Sequence, residues 1–267
     1  NKVRNPENII AKYIIKNHKL FSNCNIYDFH ENHPDLALEG GDVTLINKEV
    51  IAIGISERTS EASVRSIAPF LYKNGIKYIL CFKMPEERRF MHLDTVFSII
   101  NTNEAIVYFP FFESGNPKEL DVDIIKISKN GSLSTSSLKS SNVFNELNID
   151  FTFIKCGGNA SINQQREQWT DGANAFCLSP GKIIIYDRNV FTIKELEKHG
   201  YKIMTGLFLN PDKDKNEDLA RYMAPKQKKI QNALNKQEKV AITIESGELS
   251  RGRGGPRCMT MPINRVK

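Results

Sequence analysis

The sequence predicts an α/β fold assembled from repeated units, and three observations carry that prediction. A hairpin, a helix and a strand follow one another between Val43 and Phe82. The same order returns between Asn174 and Met204 and, in part, between Thr95 and Tyr108. Short hairpins set between helices argue against a doubly wound sheet, and ββαβ units in series suggest a closed α/β assembly of repeated modules.

Taken in order, Asn5 to about Leu20 reads as a helix. Asn5 suits an N-cap, Pro6 suits the first helical position, and Ile9, Ile10, Tyr13 and Ile14 form one apolar stripe. Val43–Ile46 and Val50–Ile55 are strand-like runs around the turn residues Asn47-Lys48-Glu49. A helix follows from about Ser60 to Lys73, Gly75 is placed to stop it, and Ile76 to Phe82 is again a strand. In the partial copy, Thr95–Ile100 and Ala105–Tyr108 flank Asn101-Thr102-Asn103. In the later copy, Asn174–Leu178 and Lys182–Tyr186 flank Pro180-Gly181. Thr192-Ile193-Lys194-Glu195 reads as a capping box opening a helix that ends at Gly200, and Tyr201–Met204 is the following strand. Two stretches read as insertions: a Ser-, Lys- and Asn-rich loop at 130–142, and a densely charged helical excursion at about 210–239. In the second, Leu219, Met223, Ile230 and Leu234 could face a core.

Composition narrows the class. The 267 residues are 40% hydrophobic and 25% charged, which suits an ordinary globular protein able to bury one sizeable core. No apolar run approaches the roughly 20 residues that span a bilayer. Five dispersed cysteines without a CxxC pair speak against a disulfide scaffold or a zinc site and fit a reducing cytoplasm. A net charge of +6 suits an anionic small molecule or weak nucleic-acid contact without requiring either. The chain opens on Asn1, in what reads as the middle of an element, so it is expected to be incomplete or processed at its N-terminus.

Three clusters could carry chemistry. Glu39-Gly40-Gly41-Asp42 is either a turn with Asp at its usual place or a pair of carboxylates offered to a cation. His92-Leu93-Asp94 enters a strand-like run, where alternation would put His92 and Asp94 on one face. The pair could be acid/base machinery, two metal ligands or a structural contact. His18, His30, His33 and His199 are too scattered to complete a metal site. Cys258 lies in Arg253-Gly254-Gly255-Pro256-Arg257-Cys258, preceded by Ser250-Arg251-Gly252. Cations lower a thiol pKa and glycines allow close approach, although the same composition suits a flexible loop or an RNA-binding segment. Together the three have a logic: carboxylates hold a planar cation, a thiolate attacks its central carbon, and the histidine protonates the departing amine. Guanidinium is the cation that matches.

At these residues the chain resembles the arginine deiminase family, whose fold is the pentein-type α/β propeller of repeated ββαβ modules. The matching strings are Leu38-Glu39-Gly40-Gly41-Asp42-Val43, Gly54-Ile55-Ser56-Glu57-Arg58-Thr59 and Met91-His92-Leu93-Asp94-Thr95. They continue through Arg166–Asn174, Ser179-Pro180-Gly181, Tyr186-Asp187-Arg188-Asn189 and Glu248–Pro262. Each is short, but they stand in family order along nearly the whole chain. The resemblance implies a single catalytic domain over 1–267, missing the N-terminal module, with the charged insertion at about 210–239. It implies hydrolysis of L-arginine to L-citrulline and ammonia through a covalent thiouronium. Cys258 is then the nucleophile, His92 the general acid and base, and Glu39 its neighbour. Asp94 is one of two aspartates gripping the guanidinium, Arg58 and Arg4 hold the α-carboxylate, and Arg253 sits on a mobile loop beside the nucleophile. The second aspartate belongs to a Phe-x-Arg-Asp motif upstream of Arg4, where this chain has no residues. No cofactor or metal is expected. The expected partner is the small-molecule substrate, with no nucleic acid and no membrane, and a homo-oligomer is left open. Two alternatives stand beside this reading: a relative acting on another guanidino substrate, and an inactive or truncated relative that binds arginine or a partner.

Overall fold

In the computed structural model, residues 5–205, 225, 228–236, 238–252 and 254–261 are described. Helix α1 (Asn5–Asn17) and the short α2 (Phe29–Asn32) lead to the strands β1 (Val43–Leu45) and β2 (Val50–Ile55). Helix α3 (Glu61–Lys73) and strand β3 (Tyr78–Lys83) complete the first unit. Next come β4 (Phe97–Asn101), β5 (Glu104–Val107), β6 (Asp121–Ile127), β7 (Leu133–Lys139), α4 (Val143–Glu146) and β8 (Thr152–Lys155). The last part holds α5 (Ser161–Trp169), β9 (Phe176–Ser179), β10 (Lys182–Tyr186), α6 (Val190–Lys198), β11 (Lys202–Thr205) and β12 (Val240–Ile244).

The strands form three sheets, ordered β1-β2-β3-β6-β7, β4-β5-β8 and β11-β12-β10-β9. Each contains the same motif, an antiparallel hairpin whose second strand pairs in parallel with a later strand: β1–β2 with β3, β4–β5 with β8, and β9–β10 with β12. The expected repetition is therefore present. One detail differs: β11 follows its helix as expected but pairs with β12, which lies between it and β10.

Period-two alternation explains how the sheets pack. Val50 and Ala52 of β2, with Leu80 and Phe82 of β3, join Phe97, Ala105 and Val107 in one core between the first two sheets. The alternate residues Ile51, Ile53, Ile79 and Cys81 pack instead with Val64 and Ala68 of α3. Ile100, Ile106 and Ile154, from the three-stranded sheet, meet Ile183, Ile185 and Ala241 of the four-stranded one. The three sheets thus face one another in succession.

Two local expectations are corrected. Residues 133–139, expected within a loop, form the edge strand β7, because β6 supplies a full antiparallel ladder and Gly131, at φ +81°, makes the turn. Its side chains are mostly exposed, so the edge is polar. The capping box at Thr192 does not open a helix either. α6 starts at Val190, and the Glu167 carboxylate of α5 accepts from the N–H groups of Phe191 and Thr192, both at 2.7 Å. A carboxylate from another helix thus satisfies the orphan donors that a local cap would otherwise take. In the charged insertion, Ile230, Ala233 and Leu234 pack on Met204, Val240 and Ile242, as a core-facing helix requires. Leu219 and Met223 lie outside the described residues.

Candidate active site

The hairpin topology assembles the site. The open end of β1–β2 carries Glu39 on one side and Ser56–Thr59 on the other. The open end of β4–β5 carries His92 and Asp94, and that of β9–β10 carries Asn174. The segment after β12, which runs parallel to β10, brings in Cys258. His92 and Asp94 do not enter a strand as alternation suggested. Leu93–Thr95 is a 3-10 turn, capped by the extended His92, and β4 begins only at Phe97.

One half of the site is built around His92. Its Nε2 lies 2.7 Å from Glu39 Oε2, and Arg58 Nη1 donates to the same oxygen at 3.2 Å. The ring packs directly over Gly41, where a Cβ would stand 2.6 Å from Nδ1, so only glycine admits it. The hydrogen bond to His92, against opposing burial and with the charges of His92 and Arg58 assisting, holds the Glu39 carboxyl down at about 2. Burial alone would lower the His92 pKa. The hydrogen bond to Glu39 and the charges of Asp94, Asp42 and Glu39 outweigh it and raise the value.

The other half surrounds Cys258. Asn174 Oδ1 accepts from the backbone N–H groups of Arg257 at 2.9 Å and Cys258 at 3.1 Å. Its Nδ2 donates to the Asp94 carbonyl at 3.0 Å and to Cys258 Sγ at 3.1 Å. A Cβ on Gly255 would lie 2.3 Å from Asn174 Oδ1, so this contact needs glycine. Tyr186 Oη donates to the Gly254 carbonyl and Arg188 Nη1 to Ser250 Oγ, each at 2.5 Å, which anchors the rest of the loop to the end of β10.

The Asp94 side chain is fully buried, and its two oxygens lie 3.7 and 3.5 Å from Cys258 Sγ. The second oxygen also accepts from Arg257 Nη1 at 2.6 Å, while Arg257 Nη2 donates to the Val43 carbonyl and Thr44 Oγ1. Cys258 as a whole residue is exposed. The surroundings of its sulfur are nonetheless desolvated, and that effect, with the Asp94 charge, pushes the thiol up to about 12. The carboxylate acts in this direction because a negative neighbour disfavours a thiolate.

The structure therefore brings together Cys258, His92, Glu39, Asp94 and Arg58. Arg4 and Arg253 lie outside the described residues. Asn174 and Arg257 belong to the site but were not singled out by sequence reasoning. Their only signal was their place inside two of the matching strings. Among the described residues, no three His, Cys, Asp or Glu side chains gather at a distance that could hold a metal ion.

Comparison with known proteins identifies the family. The family model described as arginine deiminase matches residues 1–208 and 223–265. The chain belongs to the arginine deiminase family. It is 35% identical over 271 residues to the arginine deiminase of Clostridium perfringens, covering 98% of this chain and 55% of that protein. The arginine deiminase of Listeria monocytogenes is 34% identical over 266 residues, with the same two coverages. The chain thus spans about half the length of the curated relatives it matches. Among solved structures, the amidinotransferase SxtG from Microseira wollei, of the saxitoxin biosynthetic pathway, aligns with a TM-score of 0.41 at 13% identity. It covers 73% of this chain and 54% of that one, a likeness too distant to bear on the argument.

Proposed function

We propose that this chain carries the catalytic site of an arginine deiminase, hydrolysing L-arginine to L-citrulline and ammonia. The observation that carries the reading is the Asp94 carboxylate. It is buried, lies within 3.7 Å of the Cys258 sulfur, and already accepts a guanidinium N–H from Arg257. A substrate guanidinium held there would present its central carbon to the sulfur. The bound cation would also offset the Asp94 charge and bring the thiol down from about 12, so the thiolate forms when substrate arrives.

The residues then have definite roles. The Cys258 thiolate adds to the guanidinium carbon. His92, whose raised pKa favours the protonated form, gives its proton to the departing nitrogen, which leaves as ammonia. The neutral imidazole then takes a proton from water, the hydroxide adds to the thiouronium carbon, and the Cys258 thiolate leaves while the new hydroxyl gives its proton to solvent, forming citrulline. Glu39 holds the imidazole, and Arg58, with one of its five N–H donors on Glu39, offers the rest to the substrate α-carboxylate. Placement of these units as modules of a propeller, the roles of Arg4 and Arg253, and a cytoplasmic setting belong to the same proposal. The free thiols of Cys24, Cys81, Cys156 and Cys258 support the last.

Citrulline release from arginine, followed colorimetrically, tests the activity, with Cys258→Ala as the control. Turnover should vanish in that variant, and undiminished turnover would end the reading. Arg58→Ala should raise KM for arginine while sparing agmatine, which lacks the carboxylate. A second reading is favoured by the raised Cys258 thiol beside the buried Asp94 carboxylate: a chain that binds arginine without turning it over. Calorimetric arginine binding without citrulline release would select it.

A further inference from the structure

We propose that Asp42 is the positioning residue of this site, its one carboxylate tying together the three segments that present Glu39, Arg58 and His92. Asp42 is fully buried at the end of the Gly40–Asp42 turn. Its Oδ2 accepts from Ser56 Oγ at 2.8 Å and Thr59 Oγ1 at 2.7 Å, and its Oδ1 accepts from the Leu93 N–H at 3.0 Å.

Each hydroxyl passes the constraint on. Ser56 Oγ accepts the Arg58 N–H at 3.1 Å, and Thr59 Oγ1 accepts the Glu39 N–H at 3.2 Å. Because both hydroxyl protons point at Asp42, their lone pairs face those N–H groups. The carboxylate therefore sets the backbone of Glu39 and Arg58 through the hydroxyls and that of the His92-Leu93 turn directly. An acceptor with no donor of its own is required for this pattern. The approach is close on the strand side as well. A Cβ at Gly54 of β2 would lie 2.5 Å from Asp42 Oδ1 and 3.0 Å from Leu93 Cβ.

The same carboxylate acts on His92 electrostatically. Among the described residues, the charged groups around the imidazole are Glu39 at hydrogen-bond distance, Arg58 on Glu39, Asp94 with Arg257 and Cys258 beside it, and Asp42. Burial pushes Asp42 up to about 6, with Thr59, the His92 charge, Ser56 and the Leu93 N–H opposing. It is thus mostly ionised where His92, raised above 6.5, titrates. Asp42 helps keep the histidine protonated as well as placed.

The test is the titration of His92, followed by NMR on isotope-labelled protein and assigned with His92→Gln. Asp42→Asn keeps the shape but removes the charge and sets an amide NH2 donor against either the two hydroxyls or the Leu93 N–H. The His92 pKa should fall by about one unit, a tenfold change in its protonation equilibrium. Thr59→Val, a milder change, frees the Glu39 backbone and should lower the His92 pKa as well. Ser56→Ala acts on the Arg58 arm, which reaches the imidazole only through Glu39, and should move the His92 titration less than Thr59→Val does. If Asp42→Asn does not fold, the Thr59→Val and Ser56→Ala pair decides. An unchanged His92 titration in Asp42→Asn, or equal effects of Thr59→Val and Ser56→Ala, would overturn the proposal. The readout needs no turnover, so its outcome is separate from that of the citrulline assay.

Discussion

The two halves of the site are each tied down by one side chain, and the two side chains are of opposite kinds. Around His92 the tie is Asp42, a buried carboxylate taking three donors. Around Cys258 it is Asn174, a neutral amide that accepts from two backbone N–H groups and donates to a carbonyl and to the sulfur. The difference follows from what each tie stands beside. Negative charge near an imidazole keeps its proton on, which an acid needs. Negative charge near a thiol also keeps the proton on, which a nucleophile does not need. Asp94 already exerts that effect on Cys258, and a second carboxylate at position 174 would add to it.

Several changes would break or sharpen this contrast. The largest effect should come from Gly255→Ala, whose new methyl would meet Asn174 Oδ1 at 2.3 Å. Overpacking of this kind costs about 1–3 kcal/mol, read as a lower denaturation midpoint. Gly41→Ala, on the His92 side, should show a comparable loss, since its methyl meets the imidazole at 2.6 Å. A neutral midpoint shift in either would mean that the loop yields more easily than these contacts imply.

Asp94→Asn comes next. Removing the carboxylate, and with it the partner of Arg257, should lower the Cys258 pKa by about one unit or more. Iodoacetamide modification of Cys258 at about pH 8, followed by peptide mass spectrometry, should then quicken roughly tenfold. An unchanged rate would assign the raised thiol to desolvation alone.

Asn174→Asp tests the neutral tie directly. It keeps the acceptor for both N–H groups, loses the donor to the sulfur, and adds a charge. Alkylation of Cys258 should slow several-fold in this variant, by roughly half the size of the Asp94 effect or more. A faster reaction would contradict the account of why the tie is neutral.

The smallest effect is the pH dependence of stability. Glu39 sits at about 2 in the fold, below its unfolded value, so its contribution is present above roughly pH 4.3 and is lost as pH falls through about 2. His92 is raised, so its contribution is complete below roughly pH 6.5 and is lost as pH rises through the folded value. Asp42, raised to about 6, works the other way and costs stability as pH climbs from roughly 3.9 to about 6. Glu39→Gln should therefore flatten urea-unfolding stability between about pH 4 and 2 and weaken the loss at high pH. An unaltered profile would mean that the ion pair contributes nothing net.

Two helices of equal length show how far local pattern reaches. Both α1 and α3 span 13 residues and carry an apolar stripe. In α3 the stripe is buried, with Val64 and Ala68 at 0% exposure against the first sheet. In α1 the stripe is open, with Ile9 at 69% and Tyr13 at 71%. Periodicity identifies the apolar face of a helix but says nothing about what lies opposite, because the covering surface comes from elsewhere in the chain.

The same division holds for the site. The sequence by itself determined the three hairpins, the turn at Asn47 in the first of them, the helix that Ser60 caps, and the strings that hold Glu39, Arg58, His92, Asp94 and Cys258. These depend on alternation, turn chemistry and capping, which act over a few residues. Only the tertiary structure decided that Arg58 shares with His92 one oxygen of Glu39, and that Asn174 holds Cys258 across 84 positions. It also turned Asp42 from a turn residue into a buried acceptor, and the strand alternation expected at His92 into a 3-10 turn. Those contacts exist because three sheets stack in succession with the open ends of their hairpins together, and that stacking depends on which faces meet rather than on any local pattern.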